Sequence, residues 1–284
     1  MLKNSHPWLW FTGILLLSVN SALLRAEHLP ADNKTSYTFG VVPQYEQRKL
    51  FAVWRPILDE LELRTDFKFT LTGSPRIPSF EKDFEAGVYD FAYMNPYHVV
   101  QAQGEHSYLP LLRDGGRVLQ GIVVVHKDSK IRSVKELHDQ EVVFPSPNAL
   151  GASLLIRSEL KERYAIDLQP KYVQTHSSVY LFVAKQLAVS GGGVESTLAR
   201  EKPEIRDSLR ILYHTQATPP HPITAHKRVP SKHREQVIAA FLDLAQTAKG
   251  KYLLSQVPIE LLVTTKFSDY KALSIMDFGD YREQ

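Results

Sequence analysis

The sequence predicts a two-lobed α/β protein with a cleft between the lobes. Short β-branched or aromatic runs alternate with longer amphipathic stretches from about residue 36 to 250. That is the pattern of repeated β-α-β units, which form parallel-rich sheets with helices on both faces. The middle segment, 120–215, holds a full set of such units. It reads as one lobe inserted into another built from 36–119 and 216–284, so the chain crosses between lobes twice and forms a two-strand hinge. With no cysteine in the chain, no disulfide supports either lobe, and the fold rests on its hydrophobic core.

The elements follow in order. Tyr37–Val42 is the first strand, and residues 46–63 place Leu50, Val53, Trp54, Ile57, Leu58 and Leu61 at helical spacing. Asp66–Thr72 alternates as a strand, and Ile77–Ala86 is a helix stopped by Gly87. Tyr89–Met94 is a short buried strand that runs into a helix at Asn95. Gly121–Val125 is a continuous apolar run suited to a central strand. Ser133 opens a short helix, with Glu136 placed for a capping box. Strands at Val142–Phe144, Lys171–Thr175, Leu187–Ser190 and Leu209–His214 then alternate with helices at 149–164, Ser177–Lys185 and Val194–Arg200. Residues 231–248 make an amphipathic helix, and the tail beyond Pro258 shows no clear period.

The first 26 residues have the form of a secretory signal. Lys3 and His6 precede an apolar run from Trp8 to about Val19, shorter than the roughly 20 residues that span a bilayer. Small and polar residues follow, with cleavage expected after Ala26 or Ala22. No cysteine is present to carry a lipid anchor there. The full chain has a net charge of +3, and removal of Lys3 and Arg25 with the signal leaves it almost neutral. No Lys/Arg-rich block stands out, so the electrostatic footprint of a nucleic-acid binder is absent.

In open α/β sheets, ligands sit beyond the carboxyl ends of the strands, and three strand-to-helix junctions here are unusually polar. At Tyr93-Met94-Asn95-Pro96-Tyr97-His98, Asn95 is a good N-cap and Pro96 suits the first helical position. Free amides at such a start favour an anion, and Tyr93 and Tyr97 add hydroxyls. At 144–153, a Pro-stiffened turn leads into a helix whose first residues are small, so a ligand can approach the backbone near Ala149. Ser146, Asn148 and Ser153 offer side-chain hydrogen bonds. At the third junction Thr175 or Ser177 caps a helix, and His176 lies at its start. Gly191-Gly192-Gly193 follows another strand and reads as a permissive turn, with Gly192 a candidate for close backbone approach.

Each of these features also has a structural reading, as a capped helix, a stiff loop or a satisfied histidine. Taken together they point to a binding cleft for a small anion. There is no G-x-S-x-G elbow and no H-E-x-x-H helix. His221 and His226 are flanked by prolines and a strand and do not read as metal ligands. No catalytic residue, metal site or cofactor is expected, and the chain is expected to act as a monomer.

The run Asp90-Phe91-Ala92-Tyr93-Met94-Asn95-Pro96-Tyr97-His98 resembles the periplasmic binding proteins of phosphate, phosphite and phosphonate ABC transporters. The likeness continues through Tyr108–Leu112, Gly121–Val125, the strand-loop-helix at 142–160 and Thr175-His176-Ser177. The resemblance implies a type II periplasmic-binding-protein fold that closes on its ligand and delivers it to a membrane permease. It also implies oxyanion contacts from Tyr45, Tyr93, the Ser146–Ala149 region and His176. Two departures bear on the ligand. The family's Ser-Thr-Ser helix start is Pro147-Asn148-Ala149-Leu150 here, and the acidic residue expected near the glycines is shifted to Glu195. Both point away from phosphonate itself, toward another oxyanion or a larger or less charged molecule. The expected function is a transporter-linked solute receptor in the periplasm. The alternative is a ligand-sensing module that reports to a membrane histidine kinase. An enzyme on the same fold ranks third, with His176 and Tyr93 as its candidate pair.

Overall fold

The computed structural model describes residues 34–102 and 104–283. The expected signal segment lies outside them. The chain forms β1 (Thr35–Val41), α1 (Gln47–Arg64), β2 (Phe67–Gly73), α2 (Ile77–Glu85), β3 (Phe91–Tyr93), α3 (Pro96–Gln101) and β4 (Tyr108–Asp114). It continues with β5 (Gly121–His126), β6 (Glu141–Phe144), α4 (Leu155–Tyr164), β7 (Gln169–Tyr172), α5 (His176–Ala184), β8 (Ser190–Val194), α6 (Glu195–Leu198), α7 (Pro203–Arg206) and β9 (Leu209–His214). The last elements are β10 (Ile223–His226), α8 (Ser231–Gln246), α9 (Ala248–Ser255) and β11 (Leu262–Thr264), followed by 3-10 turns at Phe267–Ile275 and Gly279–Tyr281.

Two sheets result, in the orders β11-β4-β10-β3-β1-β2 and β7-β6-β8-β5-β9. They are mixed, where the sequence suggested largely parallel sheets. β1 is parallel to β2 and β3, and β6 to β7 and β8. β10 runs antiparallel to β3 and β4, β11 antiparallel to β4, and β5 antiparallel to β8 and β9. β5 and β10 are the strands entered directly from the lobe crossings, without a right-handed helical crossover, and that reverses their direction. The crossings lie side by side. Leu119 and Thr218 exchange backbone hydrogen bonds of 2.8 and 2.9 Å as an isolated antiparallel bridge.

The first sheet is covered by α1, whose buried Leu50, Trp54, Ile57, Leu58 and Leu61 form the apolar stripe read from the sequence. Its aromatic layer packs Phe39, Phe69, Phe91 and Trp54 at ring separations of 5.2–6.4 Å. The second sheet has one apolar cluster on each face, around Val143, Val179 and Tyr180 and around Phe144, Ile156 and Leu160. The first-lobe core continues across the lobe boundary to Leu150, Ala152, Leu155 and Val194. The two lobes are therefore closed on one another through a shared apolar contact.

The glycines at 191–193 correct the sequence reading. They are the middle of β8, fully buried, and not a turn after it. Each replaces a side chain that has no room. A Cβ at Gly191 would press on Val179, one at Gly192 on the Ala152 carbonyl and the Phe144 ring, and one at Gly193 on the Tyr180 ring. The strand is bare because α5 packs on one face and the start of the 150–164 helical segment on the other.

Candidate functional site

The segment after β6 is not a regular helix at first. Leu150–Leu154 is a single π-type turn, and α4 begins at Leu155. Its first amides have no intrahelical acceptor. Gly121 and Gly192 let the two middle strands of the second sheet approach the carbonyls of Gly151 and Ala152. That contact fixes where the turn sits. The backbone of Ala149–Ala152 forms one wall of a small cavity between the lobes, of about 20 Å³. That is room for about one water molecule, so a larger guest requires the lobes to part slightly.

The cavity also has polar side chains from both lobes. His176 comes from the second lobe, and Gln44, Asn95 and His221 from the first. Val42, Ile77, Leu119 and Val194 complete it. No lysine, arginine or carboxylate lines it, so an anion here would be held by neutral donors.

His176 lies at the start of α5, capped by Thr175, whose Oγ1 accepts from the Ser178 amide at 3.0 Å. The ring is 6% exposed. Its Nδ1 is 3.4 Å from Thr197 Oγ1, a weak contact, and Nε2 has no hydrogen-bond partner among the described residues. Burial holds its pKa down at about 4. The His221 ring stacks on Tyr93 at 5.4 Å, and its Nε2 is 3.0 Å from Gln44 Nε2. An amide nitrogen donates, so this histidine nitrogen accepts and the ring is neutral. Burial holds the His221 pKa down at about 3, and the nearby His98 and His176 rings oppose its protonation further.

Both rings therefore resist protonation in the folded protein. Between pH 6.5 and 4 the unfolded chain takes up protons that the folded chain does not, so this contribution to stability is full above pH 6.5 and falls as the pH drops. The melting temperature is expected to fall between pH 7.5 and 5, and to fall less in a His176→Gln/His221→Gln double variant. A melting temperature that rises on acidification in the natural protein would contradict these assignments.

The other sequence candidates divide into several groups. Tyr93 is buried between Trp54 and His221, at ring separations of 4.9 and 5.4 Å, and burial raises its pKa, so its hydroxyl stays protonated. Tyr45 lies at the lobe boundary, with Lys49 Nζ 4.1 Å above its ring; burial raises its pKa and the Arg200 guanidinium opposes that. Ser146 is buried just before the π-type turn and Ser153 is buried within it, and Ser153 Oγ has no partner among the described residues. Neither lines the cavity. Ser177 donates to Glu201 at 2.6 Å. Gly192 lies beneath Ala152, and Tyr97 packs on Phe278, with the Arg282 guanidinium 5.8 Å from its ring centre.

Asn148 is committed to a latch between the lobes. Its Nδ2 donates to Glu81 Oε2 and to the Glu283 carbonyl, and its Oδ1 accepts from the Glu283 amide at 2.8 Å. Burial alone would raise the Glu81 carboxyl. Hydrogen bonds from His98 and Asn148 and the charge of Arg282 outweigh it and hold the pKa below the ordinary value. Arg157 of α4 donates to the Tyr281 carbonyl, so the C-terminal tail crosses from one lobe to the other. On another edge, Arg200 donates to the carbonyls of Ser255 and Gln256. Removal of a buried hydrogen-bond partner costs about 1–3 kcal/mol. Asn148→Ala is accordingly expected to favour the open form, seen as a larger radius of gyration by small-angle scattering of ligand-free protein. An unchanged scattering curve would show that the latch does not set the degree of closure.

Two site residues escaped sequence reasoning, His221 and Gln44. His221 sits in the Pro-rich segment Pro219-Pro220-His221-Pro222, which has no periodicity, and only the second lobe crossing carries it into the cleft. The cap at Asn95, whose side chain accepts from the His98 amide at 3.0 Å, was legible.

The chain resembles known proteins along most of its length. Residues 39–270 match the family model described as ABC transporter, phosphonate, periplasmic substrate-binding protein. The phosphonates-binding periplasmic protein of Escherichia coli strain K12 is 22% identical over 261 residues, covering 87% of this chain and 76% of that protein. A binding protein component of an ABC phosphonate transporter from Pseudomonas aeruginosa superposes with a TM-score of 0.77 at 14% identity, with 85% of each chain covered. PhnD1 of Prochlorococcus marinus, solved with methylphosphonate, superposes with a TM-score of 0.74 at 14% identity, covering 84% of this chain and 96% of that one. These structures share the two-lobed fold found here. Among the described residues, no helix is long and apolar enough to cross a membrane. With a family match that spans the sheets of both lobes and the cleft between them, the chain belongs to the periplasmic substrate-binding proteins of phosphonate ABC transporters.

Proposed function

We propose that the cleft holds a phosphorus oxyanion between the Leu150–Ala152 amides and His176 of the second lobe and Asn95, Gln44 and His221 of the first. The lobes would be 36–119 with 216–284, and 120–215. They would move about the Leu119–Thr218 bridge, and the closed form would present the ligand to an ABC permease from the periplasm. One observation carries this reading. His176 of the second lobe shares one cavity with the amides that begin a helical segment and with Asn95, Gln44 and His221 of the first lobe. Helix-start amides and neutral side chains that converge on one space can together satisfy the oxygens of an anion.

The energetics fit an uncharged site. Hydrogen bonds to a charged group contribute about 1.5–3 kcal/mol each, and micromolar affinity needs about 8 kcal/mol net. Several donors converging from both lobes reach that figure, and a single junction does not. A thermal-shift screen against phosphate, phosphite, methylphosphonate, aminoethylphosphonate, sulfate and sulfonates tests the reading. A ligand at a hundredfold excess over its dissociation constant stabilises by about 2.7 kcal/mol. A rise in melting temperature with a phosphorus oxyanion and none with the sulfur anions is expected. A response to sulfonates alone, or to none of the set, would overturn it.

A further inference from the structure

Between the inner cavity and a much larger open groove lies a small intermediate space that shares lining residues with both. This intermediate space, of about 30 Å³, shares Gln44, Leu119, Val194 and His221 with the inner cavity, and also reaches Asp114, Arg117 and Ser196. It in turn shares Arg117, Val118 and Ser196 with the open groove, of about 530 Å³, beside the hinge. His221 stands where cavity and intermediate space meet. Its Gln44 hydrogen bond and Tyr93 stacking fix the ring as a gatepost.

The chemistry changes along this route. The inner cavity has no charged side chain. Asp114, in the intermediate space, is 2% exposed and spends its carboxylate on the amides of Gly116, Glu260 and Leu261, so it presents no free charge to a guest. The groove is different, with the Arg117 guanidinium, the Ser196 hydroxyl and the exposed Glu195 on its walls. Arg117 gives one nitrogen to Glu260, which leaves most of its five N–H donors for another acceptor. Glu195 lines this outer groove and neither of the inner spaces. Two other edges of the cleft are tied across by Asn148 to Glu81 and the tail, and by Arg200 to the end of α9.

We propose that the ligand is a phosphorus oxyanion bearing an elongated polar substituent, with the oxyanion at His176 and the substituent running past His221 to lie against Arg117 and Ser196 in the groove. This rests on the binding reading above and adds a substrate class to it. A headgroup-only ligand occupies the inner end of the cleft, with the lobes slightly parted, and uses none of the groove. A substituent that ends in a hydroxyl or carboxylate offers Arg117 and Ser196 a hydrogen-bond partner that a methyl group does not. Ligand sites commonly combine an enclosed polar end with a few placed groups further out.

The test is calorimetric titration of the full chain with phosphite, methylphosphonate, 3-hydroxypropylphosphonate and 3-phosphonopropionate. At least one of the two substituted phosphonates is expected to bind tenfold or more tighter than methylphosphonate. Ala199→Trp, at an exposed position on the groove wall, is expected to remove that gain and leave methylphosphonate affinity unchanged. Val118→Trp, from the facing wall, provides a second plug should the first fold poorly. Methylphosphonate binding as tightly as both longer ligands, or a preference that survives both plugs, would overturn the proposal while leaving the oxyanion site intact. Binding of none of the four would remove the oxyanion reading and this inference with it.

Discussion

His176→Ala is expected to weaken phosphonate binding by about 10- to 150-fold, the equivalent of the roughly 1.5–3 kcal/mol that one hydrogen bond to a charged group contributes. The fold should persist, because the ring makes only one weak hydrogen bond to the protein, at 3.4 Å to Thr197. The side chain is neutral at physiological pH, so its removal strips out a donor without unpairing a buried charge. Titration calorimetry on the folded variant reads the effect. His138→Ala serves as the control, since that ring is half exposed on the surface of the second lobe. Equal losses in both variants, or no loss in the first, would remove His176 from the site.

A large loss of stability is expected at Gly192. A single Cβ there would lie within 2.5 Å of a Phe144 ring carbon and closer still to the Ala152 carbonyl oxygen. The oxygen belongs to the backbone of the π-type turn and cannot rotate away. Overpacking of a buried site costs about 1–3 kcal/mol and sometimes more. For a chain of this size Gly192→Ala should therefore lower the melting temperature by roughly 2–12 °C. It should weaken ligand binding as well, because the turn it displaces carries the amides of the proposed oxyanion site. A variant with unchanged melting temperature would mean that the turn can shift away from β8, and the close approach would lose its structural role.

The same glycines show where sequence reading stopped. Strands and helices are recognised by side-chain periodicity, and three glycines have no side chains to repeat. β8 is a strand because helices pack on both its faces, which is a tertiary fact. By contrast α1 was legible, since its buried residues recur at helical spacing, and the capping box at Ser133 and Glu136 formed as expected over Val134–Leu137. Of the residues that line the inner cavity, Asn95 and His176 sit at strand-to-helix junctions, where sequence reading looks for them. His221 lies at no junction of that kind. Asn148 was read as a ligand donor from its place in the loop. Its partner, Glu283, is 135 residues away in a tail without periodicity, so its role as a latch could not be seen. The parallel-rich expectation failed for a related reason, because the direction of β5 and β10 is set by crossings between lobes and not by local pattern.

A crystal structure of the full chain grown with methylphosphonate tests the central claim most directly. The account predicts the phosphorus atom between the lobes, with His176 Nε2 and at least one of the Leu150–Ala152 amides within hydrogen-bond distance of its oxygens. A ligand bound outside the cleft, or within it but out of reach of His176, would contradict the account.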